Sequence, residues 1–363
     1  MNSPHELHAL LDALSQLSRR SPARVALATL TRTRGSTFRR AGTRMLVLAD
    51  GSVVCELSGG CPQRDIVARA QEAIADGAPR LLRYNADSNL DVLMEMGCGG
   101  ELEVLLEPLT GDHAAAFVDA LTQCLQQRRS AHMAMLFAID DVVITPRRLL
   151  WCAKDVAFDG LGDAALSRTI VAAAASGNPA RALTLRLPAA RGMADVLIEP
   201  VAPPHALVVI GSSAAARALL PIANALGWKT TLVDNDPQRL AAAACTSGLR
   251  TVCAEPGTLR ADLALDAHTS VVVMTHNLER DIAYLAALRG APVAYVGTLG
   301  SRERVGRMRL EPQLASLHLH APAGLDIGSE TPEEIALAVA AEIMAVINGR
   351  SGGPLRDNEG AIH

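Results

Sequence analysis

Two patterns of apolar and polar positions divide the chain. From residue 206 onward, short solid apolar runs alternate with segments of helical period. ALVVIG, TTLVDND, TVCAE, SVVVMTHN and PVAYVGTLG read as strands, and SSAAARALLPIANALG, DPQRLAAAAC and ERDIAYLAALRG as helices between them. That alternation predicts a Rossmann-like, doubly wound parallel sheet. A last helix opens at Thr331-Pro332-Glu333-Glu334, where Thr as N-cap, Pro at N1 and Glu at N3 make a capping box.

The first two hundred residues follow another pattern. Leu7, Leu11, Leu14 and Leu17 recur at helical spacing, and ARVALATLTRT is a strand-type run. TRMLVLADGSVVCELSG places two apolar runs around Asp50-Gly51 and predicts a hairpin. A helix follows from Pro62 to about Ala75, then a strand at Leu81–Tyr84. In ELEVLLEPL the alternation of Glu101, Glu103 and Glu107 with apolar residues predicts a half-exposed strand. Beyond it come a helix (AAAFVDALTQCLQQ), a strand (HMAMLFAI), an apolar segment around Trp151, another helix, and the strands ALTLRL and ADVLIEP. The expected class is α/β: an N-terminal α+β domain with mixed strands over 1–200, a proline-stiffened linker at 201–205, the parallel sheet over 206–350, and a disordered tail at 351–363.

Composition narrows the function. A net charge of −4 gives no footprint for nucleic acid, and aromatics at 2% leave no base-stacking platform. No apolar run is long enough to span a bilayer. The first twenty residues lack an apolar leader core, and the seven cysteines are odd in number and without paired spacing. Free thiols in a reducing cytoplasm are the expectation.

Two of those cysteines stand apart. SGGCP, residues 58–62, puts Cys61 behind Gly59 and Gly60 at the mouth of a helix, where the helix dipole favours a thiolate. In GCGG, residues 97–100, Cys98 lies among Gly97, Gly99 and Gly100, which allow a tight turn and close approach of a ligand. Such thiols suit contact with molybdenum or another soft metal, or carriage of sulfur as a persulfide. C-x-x-C is absent, which argues against structural zinc. Cys55, Cys124, Cys152, Cys245 and Cys253 read as small buried apolar thiols.

The second half carries its own candidates. Gly211 closes the first strand where a Rossmann glycine loop belongs, but Ser213 and Ala216 hold the other fingerprint positions. Asp234, at the end of the next strand, stands where an acid binds ribose, so NAD(P) and an oxidoreductase remain an alternative. MTHN with His276, and GTLGSR with Gly297, Gly300, Ser301 and Arg302, lie where later strands end, and there backbone N–H groups would meet an oxyanion, with Arg304 as a further counter-charge.

Outside its middle third the chain resembles the XdhC/CoxI family of xanthine dehydrogenase accessory factors. The likeness is carried by RGSTFRRAGTRMLVLADGSVVCELSGGC, GCGGELEVLLEP, VVVMTHNLERDIAYLAAL, YVGTLGSRERVGRMR and HAPAGLDIGSETPEEIALAVAAEI. It implies a helper that binds molybdenum cofactor in its molybdopterin form and supports its sulfuration with a cysteine desulfurase. The helper then delivers the cofactor to a molybdenum hydroxylase apoenzyme of the xanthine dehydrogenase type. It makes Cys61 and Cys98 the contacts for cofactor or sulfur, supported by Gly59, Gly60, Gly97, Gly99 and Gly100. Gly211, Asp234, His276, Gly300 and Ser301 become a second surface for the pterin, its phosphate or a nucleotide. A homodimer is the default assembly. The chain departs from the family at Phe38, where GSTPR is usual, at Pro62-Gln63, where an apolar residue and Glu are usual, and at Ser213-Ala214, where GAGH is usual.

Overall fold

The computed structural model describes residues 2–18, 24–35, 37–57, 61–85, 100–109, 112–153, 155–177, 181–243 and 248–357. The chain forms two compact units, Met1–Pro203 and Pro204–His363.

The first unit holds two antiparallel sheets. One is built from β1 (Val25–Arg34), β2 (Arg44–Leu48), β3 (Val53–Val54), β4 (Arg80–Tyr84) and β5 (Glu101–Pro108), in the order β3-β2-β1-β5-β4. The other uses β6 (Ala131–Ile139), β7 (Val142–Cys152), β8 (Asp155–Asp159), β9 (Leu183–Ala189) and β10 (Gly192–Val201), in the order β8-β7-β6-β10-β9. The expected hairpin is β2–β3, with Gly51 at φ 84° and the Asp50 carboxylate accepting the Ser52 N–H at 2.9 Å.

Among the described residues, four helices accompany these sheets: α1 (Pro4–Ser18), α2 (Cys61–Asp76), α3 (Asp112–Gln126) and α4 (Ala164–Ser176). Ile66, Ala70 and Ala73 of α2 pack on Ala28, Val104 and Leu106, the outer face of the first sheet. Leu166 and Ile170 of α4 pack on Leu136 and Val196, the outer face of the second. Between the sheets lie Leu105, Met135, Phe137 and Leu197. The layering is helix, sheet, sheet, helix. Leu11 of the predicted leucine stripe packs against Phe117 and Leu121 of α3, and Leu10, which the stripe omitted, is buried against Leu27 and Leu46.

This layering corrects the reading of β5. Glu101 is exposed, but Glu103 and Glu107 are only 7% and 4% exposed. Their side chains point between the sheets, where arginines neutralise them. Arg32 bridges Glu103 at 2.6 Å and Asp195 of the second sheet at 2.7 Å, Arg148 forks onto Glu107, and Arg44 meets Glu199. Polar alternation marked an inward charged face, because helices cover both outer faces.

The second unit is a parallel sheet of β11 (Ala206–Ile210), β12 (Lys229–Asp234), β13 (Arg250–Cys253), β14 (Thr269–Val273) and β15 (Tyr295–Thr298), in the order β13-β12-β11-β14-β15. Its helices are α5 (Ala214–Ala225), α6 (Pro237–Ala243), α7 (Leu259–Asp262), α8 (Leu278–Ala287), α9 (Arg302–Arg309) and α10 (Pro332–Ile347). α5 and α10 cover one face, and α8 and α9 the other. The fold class is the expected α/β with a Rossmann-like sheet, and the capping box at Thr331 and Glu334 is formed. α9 escaped the pattern reading because RERVGRMR offers only Val305 and Met308 to the core. No helix among the described residues is long and apolar enough to cross a membrane.

Candidate functional site

Cys61 is the first residue of α2; its side chain, and Gly59, Gly60, Gly97, Cys98 and Gly99, lie outside the described residues. Gly100 is buried immediately before β5. The frame around these motifs is defined. Tyr84, the last residue of β4, pairs with Leu102 two positions beyond Gly100. Its phenol donates to Asp65 at 2.7 Å, one turn into α2. The mouth of α2 and the start of β5 are thereby tied to one edge of the first sheet. Burial first, and then the bond to Asp65, raise the Tyr84 phenol far above its usual range, so it acts as a neutral donor.

A cavity of about 400 Å³ opens at this edge, lined by Arg32, Arg34, Arg83, Tyr84, Glu101 and Glu103 among others. Three guanidinium groups face two carboxylates there. Arg32 is held by its acidic partners and lies over the Phe137 ring, Arg83 pairs with Glu103 at 3.1 Å with its side chain 59% exposed, and Arg34 is exposed. Sequence reasoning passed over these arginines. Their signal was the TRTR at the end of β1, which registered only as the end of a strand.

The second set of candidates collects at the carboxyl edge of the parallel sheet. β11 lies between β12 and β14, so the chain leaves it toward both sides, and a crevice opens at that switch point. Gly211 sits there at φ 104°, and a Cβ on it would fall 2.7 Å from the Met274 carbonyl oxygen. Glycine is required on both counts. Ser213, by contrast, has φ −62° and caps α5, accepting the Ala216 N–H at 3.1 Å. The second fingerprint position therefore does not need glycine's freedom here, and Ala216, fully buried, keeps α5 close to the sheet.

Asp234 is 4% exposed and already engaged. Its carboxylate accepts from the Ser212 hydroxyl at 2.8 Å and the Asp236 N–H at 3.1 Å. Ser212 and Asp236 take up part of the carboxylate's acceptor capacity, one bond on each oxygen. His276 is exposed and holds φ 62°, a strained conformation for a non-glycine residue. Its carbonyl accepts from Arg304 at 3.3 Å, and Arg304 also binds Asp281 at 2.6 Å. Asp281, 1% exposed, accepts the Thr275 N–H at 3.0 Å and hydroxyl at 2.6 Å. Arg304 thus clamps the His276 loop and is no free counter-charge. Ser301 caps α9 with its side chain, Gly300 precedes it, and Gly297 belongs to β15 rather than to the loop. Gly211, Asp234, His276, Gly300 and Ser301 share this edge; Cys61 and Gly100 belong to the other unit.

The remaining thiols were read as buried. Cys124 and Cys152 are buried and Cys55 is half-buried, but Cys253, at the end of an edge strand, is exposed. Cys245 lies outside the described residues. No group of three or more His, Cys, Asp or Glu able to hold a metal occurs among the described residues.

Comparison with known proteins agrees with both halves of this layout. The XdhC Rossmann domain matches residues 207–343, and the XdhC and CoxI family matches residues 18–85. The chain belongs to the XdhC and CoxI family. It is 28% identical over 348 residues to a probable xanthine dehydrogenase subunit of Bacillus subtilis (strain 168), covering 93% of this chain and 96% of that protein. It is 24% identical over 329 residues to the molybdenum cofactor insertion chaperone PaoD of Escherichia coli (strain K12), covering 88% and 82%. The crystal structure of a xanthine dehydrogenase from Bacillus halodurans superimposes with a TM-score of 0.77 at 23% identity, over 94% of this chain and 96% of that one, a likeness of fold.

Proposed function

We propose that this XdhC/CoxI-family chain is a maturation factor that binds molybdenum cofactor as its cargo, supports its sulfuration and delivers it to a molybdenum hydroxylase. The observation that carries the proposal is the convergence, on one edge of the first sheet, of the α2 mouth, the start of β5 and an arginine-lined cavity. The likeness to PaoD supports the choice of cargo.

The chemistry divides by residue type. Arg34 offers its guanidinium group to a phosphate at the cavity rim, beside the Arg83–Glu103 ion pair, and Tyr84 offers a neutral phenol to Asp65 that fixes the rim's shape. Cys61, at the positive end of α2, and Cys98 supply soft thiolates for the metal or its sulfur. A cysteine desulfurase is the proposed source of that sulfur, and the cytoplasm the setting. At the second unit's crevice, Gly211, His276, Gly300 and Ser301 offer a polar edge for the pterin or a nucleotide portion. We do not adopt the NAD(P) oxidoreductase alternative, because Ser213 puts a side chain at the second fingerprint position and Ser212 and Asp236 already engage the Asp234 carboxylate.

Protein purified anaerobically from cells that make molybdopterin should carry pterin and molybdenum, read by pterin fluorescence and metal analysis. Cys98→Ala should lower both. Wild-type protein that carries neither overturns the proposal, and calorimetry with NAD and NADP should show no binding.

A further inference from the structure

Two thiols that no motif joins stand side by side in the first unit. Cys124, in the last turn of α3, and Cys152, the last residue of β7, are each 3% exposed, with their sulfurs 3.4 Å apart. Both fall in the middle of the chain, which neither family match spans. Their surroundings are apolar: Phe117, Leu121, Met133 and Leu150 complete the cluster.

The separation discriminates between chemistries. A soft ion held linearly between two thiolates would keep the sulfurs about twice a ~2.3 Å metal–sulfur bond apart, which is wider than observed. Tetrahedral zinc needs two more ligands, and the described residues supply no such group. A disulfide needs ~2.05 Å, so each sulfur has only about 0.7 Å to travel.

We propose that Cys124 and Cys152 are a modification site, an oxidisable dithiol that a small peroxide closes to an intramolecular disulfide. One sulfur, as thiolate, attacks a peroxide oxygen; the O–O bond breaks and a sulfenic acid and hydroxide form. The hydroxide takes up the proton that the thiol released and becomes water. The second sulfur then attacks the sulfenic sulfur, the S–S bond forms, and the hydroxyl leaves with the second thiol's proton as another water. Two electrons pass from the sulfurs to the peroxide, and two thiols with one hydrogen peroxide yield one disulfide and two waters.

Burial, and then the hydrogen bond with Cys124, push the Cys152 thiol up to about 11; Arg129 opposes this and Asp155 adds to it. The pair therefore rests as thiols, so the attacking thiolate is the minor form at neutral pH and closure should speed up as pH rises, while the short separation lets the second sulfur resolve any sulfenic acid. The bond would staple the end of α3 to β7 across 28 positions of sequence and constrain the unfolded chain.

The test treats the full chain with hydrogen peroxide below its unfolding temperature, alkylates the remaining thiols and maps the peptides by mass spectrometry. The Cys124 and Cys152 peptides should be joined, lose both alkylatable thiols and separate on reduction, and the thermal midpoint should rise by several degrees. In Cys124→Ala, the join should vanish and a sulfenic acid should become trappable at Cys152. Recovery of both wild-type cysteines as free thiols while the exposed Cys253 is oxidised overturns the proposal. So does pairing of either with a different cysteine. The wild-type map decides the matter even if the variant does not fold.

Discussion

The two units bury polarity in opposite ways. In the first, four carboxylates (Glu103, Glu107, Asp195 and Glu199) lie between two sheets; arginines from the facing sheet neutralise Glu107, Asp195 and Glu199, and Glu103 is neutralised by Arg32 and Arg83 of its own sheet. In the second, Val, Leu and Ile fill most of both faces of the sheet; the buried hydroxyls of Thr230, Thr269 and Ser270 sit at the amino ends of the strands, and the buried carboxylates Asp234 and Asp281 lie at or beyond the carboxyl ends. An antiparallel sandwich can bring charged rows face to face, whereas a parallel sheet wrapped by crossover helices leaves only its edge for polar chemistry. The first unit thus depends on matched charges, and the second on backbone fit.

The largest expected effect comes from unpairing a charge. Arg44→Met leaves Glu199, 1% exposed, without its partner and should cost about 3–5 kcal/mol in denaturant unfolding of the first unit. Replacing Glu199 by Met as well should recover most of that loss, since an apolar pair needs no neutralisation. A single-variant cost below about 1 kcal/mol would break the contrast.

Next comes backbone fit. Gly211→Ala adds a Cβ 2.7 Å from the Met274 carbonyl oxygen at φ 104°. It should destabilise the second unit by about 2–3 kcal/mol and leave the first unit's transition in place. Asp281→Asn weakens the clamp on Arg304 and the Thr275 loop, at about 1–3 kcal/mol, and nuclear magnetic resonance should show the His276 loop more mobile.

The smallest effects sit at the capping box. Thr331→Ala should cost about 1 kcal/mol. Bonds from the Thr331 and then the Glu330 N–H groups hold the Glu334 carboxyl below its usual 4.5. A carboxyl with a depressed folded pKa stabilises above its unfolded value and loses that contribution as pH falls through the folded one. Glu334→Gln should therefore destabilise at neutral pH and become silent in strong acid, as thermal unfolding across pH will read.

These regions also differ in how much their sequence disclosed. Solid apolar runs such as ALVVI and TSVVV are buried on both faces, which made the inner strands of the parallel sheet legible, whereas β13 is a largely exposed edge strand. The Ser213 cap and the capping box at Thr331 are local contacts, and local sequence encodes them. β5 was misread because period-two alternation states that two faces differ, not which face meets water. Pairings between distant segments, such as Arg148 with Glu107 and Arg44 with Glu199, 155 positions away, reveal the buried charged layer. The same limit applies to the sites. Gly211 and Asp234 follow from a fingerprint, whereas the Arg304–Asp281 clamp, the arginine-lined cavity and the Cys124–Cys152 pair depend on contacts between distant segments.

The most direct measurement is the activation of a cofactor-free molybdenum hydroxylase by this protein loaded with molybdenum cofactor, followed as recovered hydroxylase turnover under anaerobic conditions. Loaded wild-type protein should restore turnover faster than the same amount of free cofactor, and Cys98→Ala should lose that advantage. Equal rates with and without the protein would contradict a role in carrying and delivering the cofactor.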